Sequence, residues 1–548
     1  MGAGIAQVAA AYGHEVLLFD TSTEAISKGL AGVEKFLARS VEKGRLDPDE
    51  RDAIVGRIKP AAALTDLAPS AMVIEAIVER LDVKQSVFGE LEGIVDKDCI
   101  LASNTSSLSV TAMGAALKKP ERLVGMHFFN PAPLMRLVEV VVGLATSDEA
   151  KQTVFDTAAA WGKTPVFAKS TPGFIANRIA RPYYGESLRL MEEGAADAVT
   201  IDAVMKDCGG FRMGPFELMD LVGTDVNLTV TKSVWEAFYY DARYQPSLLQ
   251  EELVAAGRFG RKSGHGWYPY GDGAEKPAPA AAPQGPKPKR VIVIGDDEDS
   301  GAGGPATEPI NQVIALALDA GIEVEARFID RDFEFADADD ADDGDAEVTA
   351  AWEEDDEDWV PGTGDPFEMF DTEPGILLDG AILRPITMHP RRIFGDSTTW
   401  ENGDEHPTVW FDLCLDYKAS PRIAISAPDG APRTAILAAA GFFQALGKEV
   451  TVVADVPGMV LMRVVAMLAN EAAEAVYTGV CDAEGADAAM LHGLNYPVGP
   501  LAWAESIGYG TVVAFLSDLY ETYRDPRYRT SRGLVRLAQR QRLQGLEV

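Results

Sequence analysis

One stretch of this chain occurs twice. The segment "TPGFIANRIARPYYGESLRLMEEGAADAVTIDAVMKDCGGFRMGPFELMDLVGTDV" recurs as "VPGMVLMRVVAMLANEAAEAVYTGVCDAEGADAAMLHGLNYPVGPLAWAESIGYGTV" at one constant offset and without a gap. Pro172 pairs with Pro457, Gly194 with Gly479, Asp202 with Asp487, Gly214 with Gly499 and Gly223 with Gly508. Glycine and proline sit where a backbone must turn or a helix must begin, so shared punctuation in one register means shared helices. The second half is therefore a duplicated domain. A length of 548 residues calls for three or four domains at about 100–200 residues each, and the repeat makes these domains copies of two kinds.

The first kind is α/β. The opening "MGAGIAQVAAAYGHEVLLFD" predicts a small-residue helix over 3–12, a turn at Gly13 and a buried strand ending on Asp20, the second half of a βαβ unit. In a dinucleotide fold, glycines let the backbone approach the diphosphate at a helix N-terminus, and an acid ending the second strand bonds the ribose 2′-hydroxyl. Asp20 holds that position and disfavours a 2′-phosphate, which argues for NAD over NADP. Gly2-Ala3-Gly4 is not itself the phosphate fingerprint, because no strand precedes Met1 and the third glycine position holds Val or Gln. Gly2 reads as the last fingerprint glycine, with the first strand and two earlier glycines missing, as a start site assigned too late would leave them. "AMVIEAIVE" (71–79), "CILASNTSS" (99–107) and "RLVGMHFFNP" (122–131) are apolar runs that end in polar residues. This alternation with helical stretches predicts a parallel sheet presenting Glu79, Asn104, Ser106, His127 and Asn130 to one crevice. Further along, Glu139 lies inside the apolar run "MRLVEVV". A buried carboxylate needs a partner, and a Glu bonded to one imidazole nitrogen of His127 fixes the tautomer and raises the basicity of the other, making a general base.

Charge narrows the partners. The chain carries 49 basic and 85 acidic side chains, a net charge of −36, which repels phosphate backbones and anionic lipid. Nucleic acid and membrane surfaces are thus poor partners, and no apolar run reaches the ~20 residues of a membrane span. Fifteen Asp or Glu and no Lys or Arg fall within residues 332–358, so this insertion alone carries −15 and reads as a disordered, solvated run. Its "DADDADDGDAEV" lacks the register of a calcium loop. Residues 271–289, "GDGAEKPAPAAAPQGPKPK", read as a semi-extended linker. Cys99, Cys208, Cys414 and Cys481 are widely spaced, give no metal-site spacing and fit a reducing compartment; with no secretory signal this predicts a cytoplasmic protein.

"SNTSSLSVT", "GMHFFNPAPLMRLVEVV", "TPGFIANR", "GPFELMDLVG" and "FGRKSGHGWYPY" resemble, in order and spacing, the signature stretches of the short-chain L-3-hydroxyacyl-CoA dehydrogenases. The resemblance covers Met1 to about Tyr270 and, in its two-copy bacterial form associated with phenylacetate-type catabolism, most of the chain except the acidic insertion. It implies oxidation of the 3-hydroxyl of an acyl-CoA by NAD. His127 would take the hydroxyl proton, Glu139 would orient it, and Ser106 and Asn177 would hold the substrate oxygen. The positions matching NAD contacts are Asp20, Glu79, Lys84, Ser106, Asn130 and Lys262, with Lys84 and Lys262 as candidate counter-charges to phosphate. The two-copy relatives act on 3-hydroxyadipyl-CoA or 3-hydroxybutyryl-CoA.

The expected fold is an α/β Rossmann-type domain (1–170) and an all-α domain (171–270), both duplicated in degenerate form after the linker as 290–455 and 456–548. "RVIVIGD" (290–296) and "GIEVEARFID" (321–330) read as the first two strands of the second α/β unit, which lacks a glycine fingerprint and a second "HFFNP". Met462 stands where the first copy has Asn177, so no second active site is expected. The second half either covers, within one chain, the apolar face through which family members dimerise, or retains an acyl-CoA or regulatory site; the kept glycines and prolines favour the first. A monomer with an internal pseudo-dimer, or a homodimer, follows. Two other function classes compete with the dehydrogenase. A noncatalytic acyl-CoA-binding scaffold is suggested by the absent phosphate loop, and the joint presence of His127, Glu139, Ser106 and Asn177 weighs against it. A dehydrogenase of free 3-hydroxy acids would use a lysine base instead.

Overall fold

In the computed structural model of the chain the described residues are 1–296, 308–329, 375–378, 381–386 and 407–546. The acidic insertion 332–358, Asp330, His389 and His406 lie outside them. The first helix, Gly2–Ala11, packs on two sides. Ile5, Val8 and Ala9 meet Val124, Met126, Val138 and Val140, while Ala6 and Ala10 meet Val33, Leu37 and Ile54. Small side chains allow both approaches, so the alanine-rich opening is a packing requirement.

Strands β1 (Val16–Leu18) and β2 (Ile58–Pro60) pair in parallel. A second sheet runs in the order β3 (Met72–Glu75), β4 (Ile100–Ser103), β5 (Leu123–Phe128), β6 (Leu137–Val142) and β7 (Thr164–Lys169). Among the described residues no strand joins β1 to β3. The sheet is not wholly parallel, as the alternation had predicted: β5 and β6 are antiparallel. A parallel crossover takes about a dozen residues or more, and the link from Phe128 to Leu137 is shorter.

The second α/β unit forms one seven-stranded mixed sheet. Its strands are β8 (Arg290–Asp296), β9 (Glu323–Ile329), β10 (Gly375–Leu378), β11 (Ala381–Pro385), β12 (Thr408–Phe411), β13 (Arg422–Ser426) and β14 (Glu449–Val452). Their order is β14-β13-β12-β11-β10-β8-β9, with β8 and β9 parallel as a βαβ unit requires. Thr408, Arg422 and Glu449 follow Leu123, Leu137 and Thr164 at the same offset that separates Pro457 from Pro172, so β12, β13 and β14 repeat β5, β6 and β7. The antiparallel and then parallel pairing also repeats. The duplication thus keeps its ungapped register upstream of the motifs that reveal it in the sequence.

The helical units match in register: Ala176–Ile179 and Arg181–Glu192 together recur as the single helix Leu461–Tyr477, and Ala198–Asp207, Pro215–Val222 and Thr224–Ala237 recur as Ala483–Gly493, Pro500–Ile507 and Tyr509–Tyr523. Asp202 accepts from the N–H groups of Phe216 and Glu217, and Asp487 does the same for Leu501 and Ala502. A Cβ at Gly214 or Gly499 would collide with these carboxylates, which is why both stay glycine. Even the uncommon left-handed conformation at Phe174 (φ +46°) returns at Met459 (φ +53°).

The halves interlock by a pseudo-twofold exchange. The Lys169 N–H donates to the Val480 carbonyl at 2.8 Å, and its repeat counterpart, the Ala454 N–H, donates to the carbonyl of Ala195 at 3.0 Å. Arg178 pairs with Glu471 at 2.5 Å, and its counterpart Arg463 pairs with Glu186 at 2.9 Å. Tyr244 donates to Glu471, and Tyr528 to Glu186. The 271–289 segment is pinned on β14 and on the helix Arg433–Ala445: Ala282 N–H donates to Val450 O and Thr451 to the Ala280 carbonyl, while Gly285 N–H donates to the Gln444 side chain. Among the described residues no helix is long and apolar enough to cross a membrane.

Candidate active site

His127 and Glu139 face each other directly across the antiparallel pair β5 and β6. Their Nδ1 and Oε2 are 2.6 Å apart, with the side chains 7% and 1% exposed. A carboxylate only accepts, so Nδ1 carries the hydrogen and Nε2 is left with a lone pair. That second nitrogen makes no bond to the described chain. Glu139 Oε1 accepts from the N–H groups of Ile175 and Ala176 at 3.0 and 2.9 Å, satisfying the otherwise orphaned start of the helix Ala176–Ile179. One carboxylate thereby ties the imidazole to the helix that carries Asn177. The rings of Phe129 and Phe174 flank the imidazole at 4.6 and 5.9 Å between centroids, giving it apolar walls.

A second cluster forms past β3 and β4. Glu79 Oε1 accepts from the Thr105 hydroxyl (2.6 Å) and the N–H groups of Ser106 (2.8 Å) and Ser107 (3.0 Å), which shapes the loop bearing Ser106. Burial alone would raise the Glu79 pKa, but the Thr105 hydrogen bond, the Lys84 charge and the Ser106 N–H outweigh it and hold the carboxyl at about 2. Asn104 accepts from the Phe128 N–H at 2.8 Å, fastening this loop to the end of β5 beside His127. The hydroxyl of Ser106 is exposed and makes only a long 3.3 Å bond to Glu79.

Lys84 departs from its expected role. It is 0% exposed, bonding Glu75 at 2.7 Å and Glu79 at 3.2 Å, so its charge is matched by two carboxylates and is not free for a phosphate. Ser103 completes this buried knot by donating to Glu75 at 2.6 Å. Glu75 and Ser103 were missed in the sequence, where both read as ordinary strand residues. Lys262 lies in the helical unit, paired with Asp225 at 2.5 Å. Asn130 is exposed beyond β5, and its side chain bonds nothing in the described chain. The helix Gly2–Ala11 starts without a side-chain cap on its first N–H groups. Asp20, just past β1, is exposed and accepts from the Ser22 N–H through Oδ1, leaving Oδ2 available.

The repeat has lost this machinery. Asp412 and Ala424 occupy the positions that correspond to His127 and Glu139 in the register of the duplication. Asp412 accepts from the N–H groups of Val460, Leu461 and Met462, the capping task that Glu139 performs in the first copy. Burial pushes its carboxyl up to about 6 against those hydrogen bonds. At the corresponding positions the second copy keeps the helix cap, with Asp412 in place of the imidazole and Met462 in place of Asn177.

Comparison with known proteins agrees with this geometry. Residues 1–171 match the family domain described as 3-hydroxyacyl-CoA dehydrogenase, NAD binding domain. Residues 173–270 and, again, 458–547 match the 3-hydroxyacyl-CoA dehydrogenase C-terminal domain, and 395–457 match the 3-hydroxybutyryl-CoA dehydrogenase reduced Rossmann-fold domain. The chain is 37% identical over 529 residues to a 3-hydroxyadipyl-CoA dehydrogenase of Escherichia coli K12, spanning 96% of this chain and 93% of that one. It is 42% identical over 276 residues to the mitochondrial hydroxyacyl-coenzyme A dehydrogenase of Sus scrofa, 49% of this chain and 88% of the relative. A crystal structure of 3-hydroxybutyryl-CoA dehydrogenase from Escherichia coli K12 aligns over 98% of this chain and 96% of its own, with TM-score 0.79 and 35% identity.

Proposed function

This chain belongs to the 3-hydroxyacyl-CoA dehydrogenase family, and on that premise we propose that His127 is the base of its reaction, oriented by Glu139, on a dicarboxylic six-carbon acyl-CoA. The enzyme is an NAD-dependent oxidoreductase that converts a 3-hydroxyacyl-CoA to the 3-oxoacyl-CoA. The residues present fit the cofactor: the uncapped amides of the helix Gly2–Ala11 suit a diphosphate, and the free oxygen of Asp20 suits a ribose hydroxyl. Bound NAD supplies the hydride acceptor. The chain's own part is proton transfer and charge placement. His127 Nε2 takes the proton of the 3-hydroxyl, and Glu139 stabilises the imidazolium that results. In the reverse direction the same imidazolium returns the proton. The Asn177 amide and the Ser106 hydroxyl donate to the substrate oxygen, where a well-placed donor contributes ~3–4 kcal/mol.

The observation that carries this reading is the 2.6 Å His127–Glu139 bond with Nε2 left open. The six-carbon dicarboxyl substrate follows the name of the Escherichia coli relative that matches nearly the whole chain. We place the domain divisions at 170, 270, 289 and 455, and the protein in the cytoplasm as a monomer whose second half stands in for a partner. Oxidation of NADH at 340 nm with acetoacetyl-CoA, 3-oxoadipyl-CoA and 3-oxooctanoyl-CoA tests the substrate. The expected result is a kcat/KM highest for 3-oxoadipyl-CoA, and a maximum at either of the other two contradicts it.

A further inference from the structure

One turn beyond Asn177, the helix Arg181–Glu192 opens on a buried cation without a counter-ion. Arg181 is 6% exposed. Its Nε donates to the Asn177 carbonyl at 2.8 Å and Nη1 to the Thr231 hydroxyl at 3.0 Å, with the Tyr184 ring 5.0 Å from the guanidinium. Nη2 donates to nothing among the described residues, and no carboxylate there pairs with the group. Arg178, Arg243, Arg422 and Arg463, also buried or nearly so, each have a carboxylate partner. A guanidinium does not shed its proton, and a buried charge left unmatched is costly. Burial accordingly holds its pKa below the ordinary arginine value.

A second donor is also unused nearby. The Tyr496 hydroxyl is buried without a hydrogen bond, its ring 5.5 Å from that of Tyr183 and within electrostatic reach of Arg181. Arg181 lines a cavity of about 370 Å³ with Tyr184, Thr231, Glu192, Glu193 and Asp525, and the three carboxylates among them are taken up by Ser247, Arg463 and Arg527 respectively. Arg181 is thus a charged donor with an open N–H at a cavity wall, and such a group suits an anion.

The repeat sorts Arg181 with the chemistry. Residues that serve only the junction between halves persist in both copies, as Arg178 with Arg463 and Glu186 with Glu471 do. Arg181 is replaced by Ala466, just as His127 is replaced by Asp412 and Asn177 by Met462. Helical side chains lean toward the N-terminus, and Arg181 Nε reaches back to the backbone carbonyl of Asn177, the residue whose side-chain amide is assigned above to the substrate oxygen. One helical turn is about 5.4 Å, while a terminal carboxyl lies three bonds of ~1.5 Å beyond C3 in a six-carbon chain.

We propose that Arg181, assisted by Tyr496 from the second half, binds the terminal carboxylate of a dicarboxylic acyl chain and so sets the preference for it over a short monocarboxylic chain. This rests on the substrate reading above. The test is the ratio of kcat/KM for 3-oxoadipyl-CoA over acetoacetyl-CoA, in the full chain and in Arg181→Met, Arg181→Lys and Tyr496→Phe. The ratio is expected to fall about 10- to 100-fold in Arg181→Met, mainly through KM, with partial recovery in Arg181→Lys and a ~3-fold fall in Tyr496→Phe. An unchanged ratio in Arg181→Met, or an equal loss on both substrates that Arg181→Lys does not mend, overturns the assignment. A full chain without preference for 3-oxoadipyl-CoA overturns instead the substrate reading beneath it.

Discussion

Glu139 uses both carboxylate oxygens, Oε2 on His127 and Oε1 on the amides of Ile175 and Ala176. Glutamine has one carbonyl oxygen and cannot serve both. In Glu139→Gln the carbonyl stays on the helix amides, and the side-chain NH₂ then faces Nδ1 and forces the hydrogen onto Nε2, the wrong tautomer for a base. Steady-state turnover should fall about 10³–10⁴-fold in kcat with KM little changed, as for an orienting carboxylate replaced by its amide; a loss under tenfold contradicts the role. At this scale the sequence was partly legible. The pairing of His127 with Glu139 was legible because a carboxylate inside an apolar run needs a partner, although the hairpin that sets them opposite each other was not foreseen. Asn177 was found only through resemblance, because nothing local says that its helix is capped by Glu139. Lys84 was misjudged as a phosphate counter-charge for a similar reason: its partner Glu75 lies on another element. Arg181 gave no signal, since an absent counter-ion is visible only in three dimensions.

The buried pairs Arg178–Glu471 and Arg463–Glu186 decide how the two helical units meet. Glu471 also receives Arg243 and Tyr244, so its loss strands Arg178 in the interior and leaves Arg243 with Asp241 alone. Urea denaturation of Glu471→Ala should show a loss of about 3–5 kcal/mol, whereas the double variant Arg178→Met/Glu471→Leu, of similar volume and without that unpaired Arg178 charge, should lose less. A double variant as unstable as the single one would show that packing, and not charge pairing, holds the junction. Helix and strand positions were readable from periodicity and punctuation. The antiparallel turn between β5 and β6 was not, because strand-like runs carry no label of direction; only the short connection gives it away. That reversal is what sets Glu139 opposite His127.

The whole molecule is a pseudo-dimer of two unequal copies, and its junction is self-complementary. Arg178 faces the repeat of Glu186, and the repeat of Arg178 faces Glu186. Such an isologous arrangement predicts that residues 1–270 expressed alone pair with themselves, each Arg178 meeting the Glu186 of the other copy. Light scattering should give twice the mass of that fragment, and a well-folded monomer contradicts the prediction. The duplication itself was legible from shared glycines and prolines, as was the loss of Asn177 to Met462. The replacement of His127 by Asp412 was hidden, because no flanking motif survives to align it. Asp412 caps a helix where the first copy has His127 and Glu139, and the proposed chemistry therefore belongs to the first half. The most direct test is turnover of the full chain carrying His127→Ala, followed at 340 nm with NADH and 3-oxoadipyl-CoA. The account predicts a loss of about 10²–10⁴-fold, the contribution of a positioned base; activity within tenfold of the unaltered protein would contradict it, placing the base elsewhere.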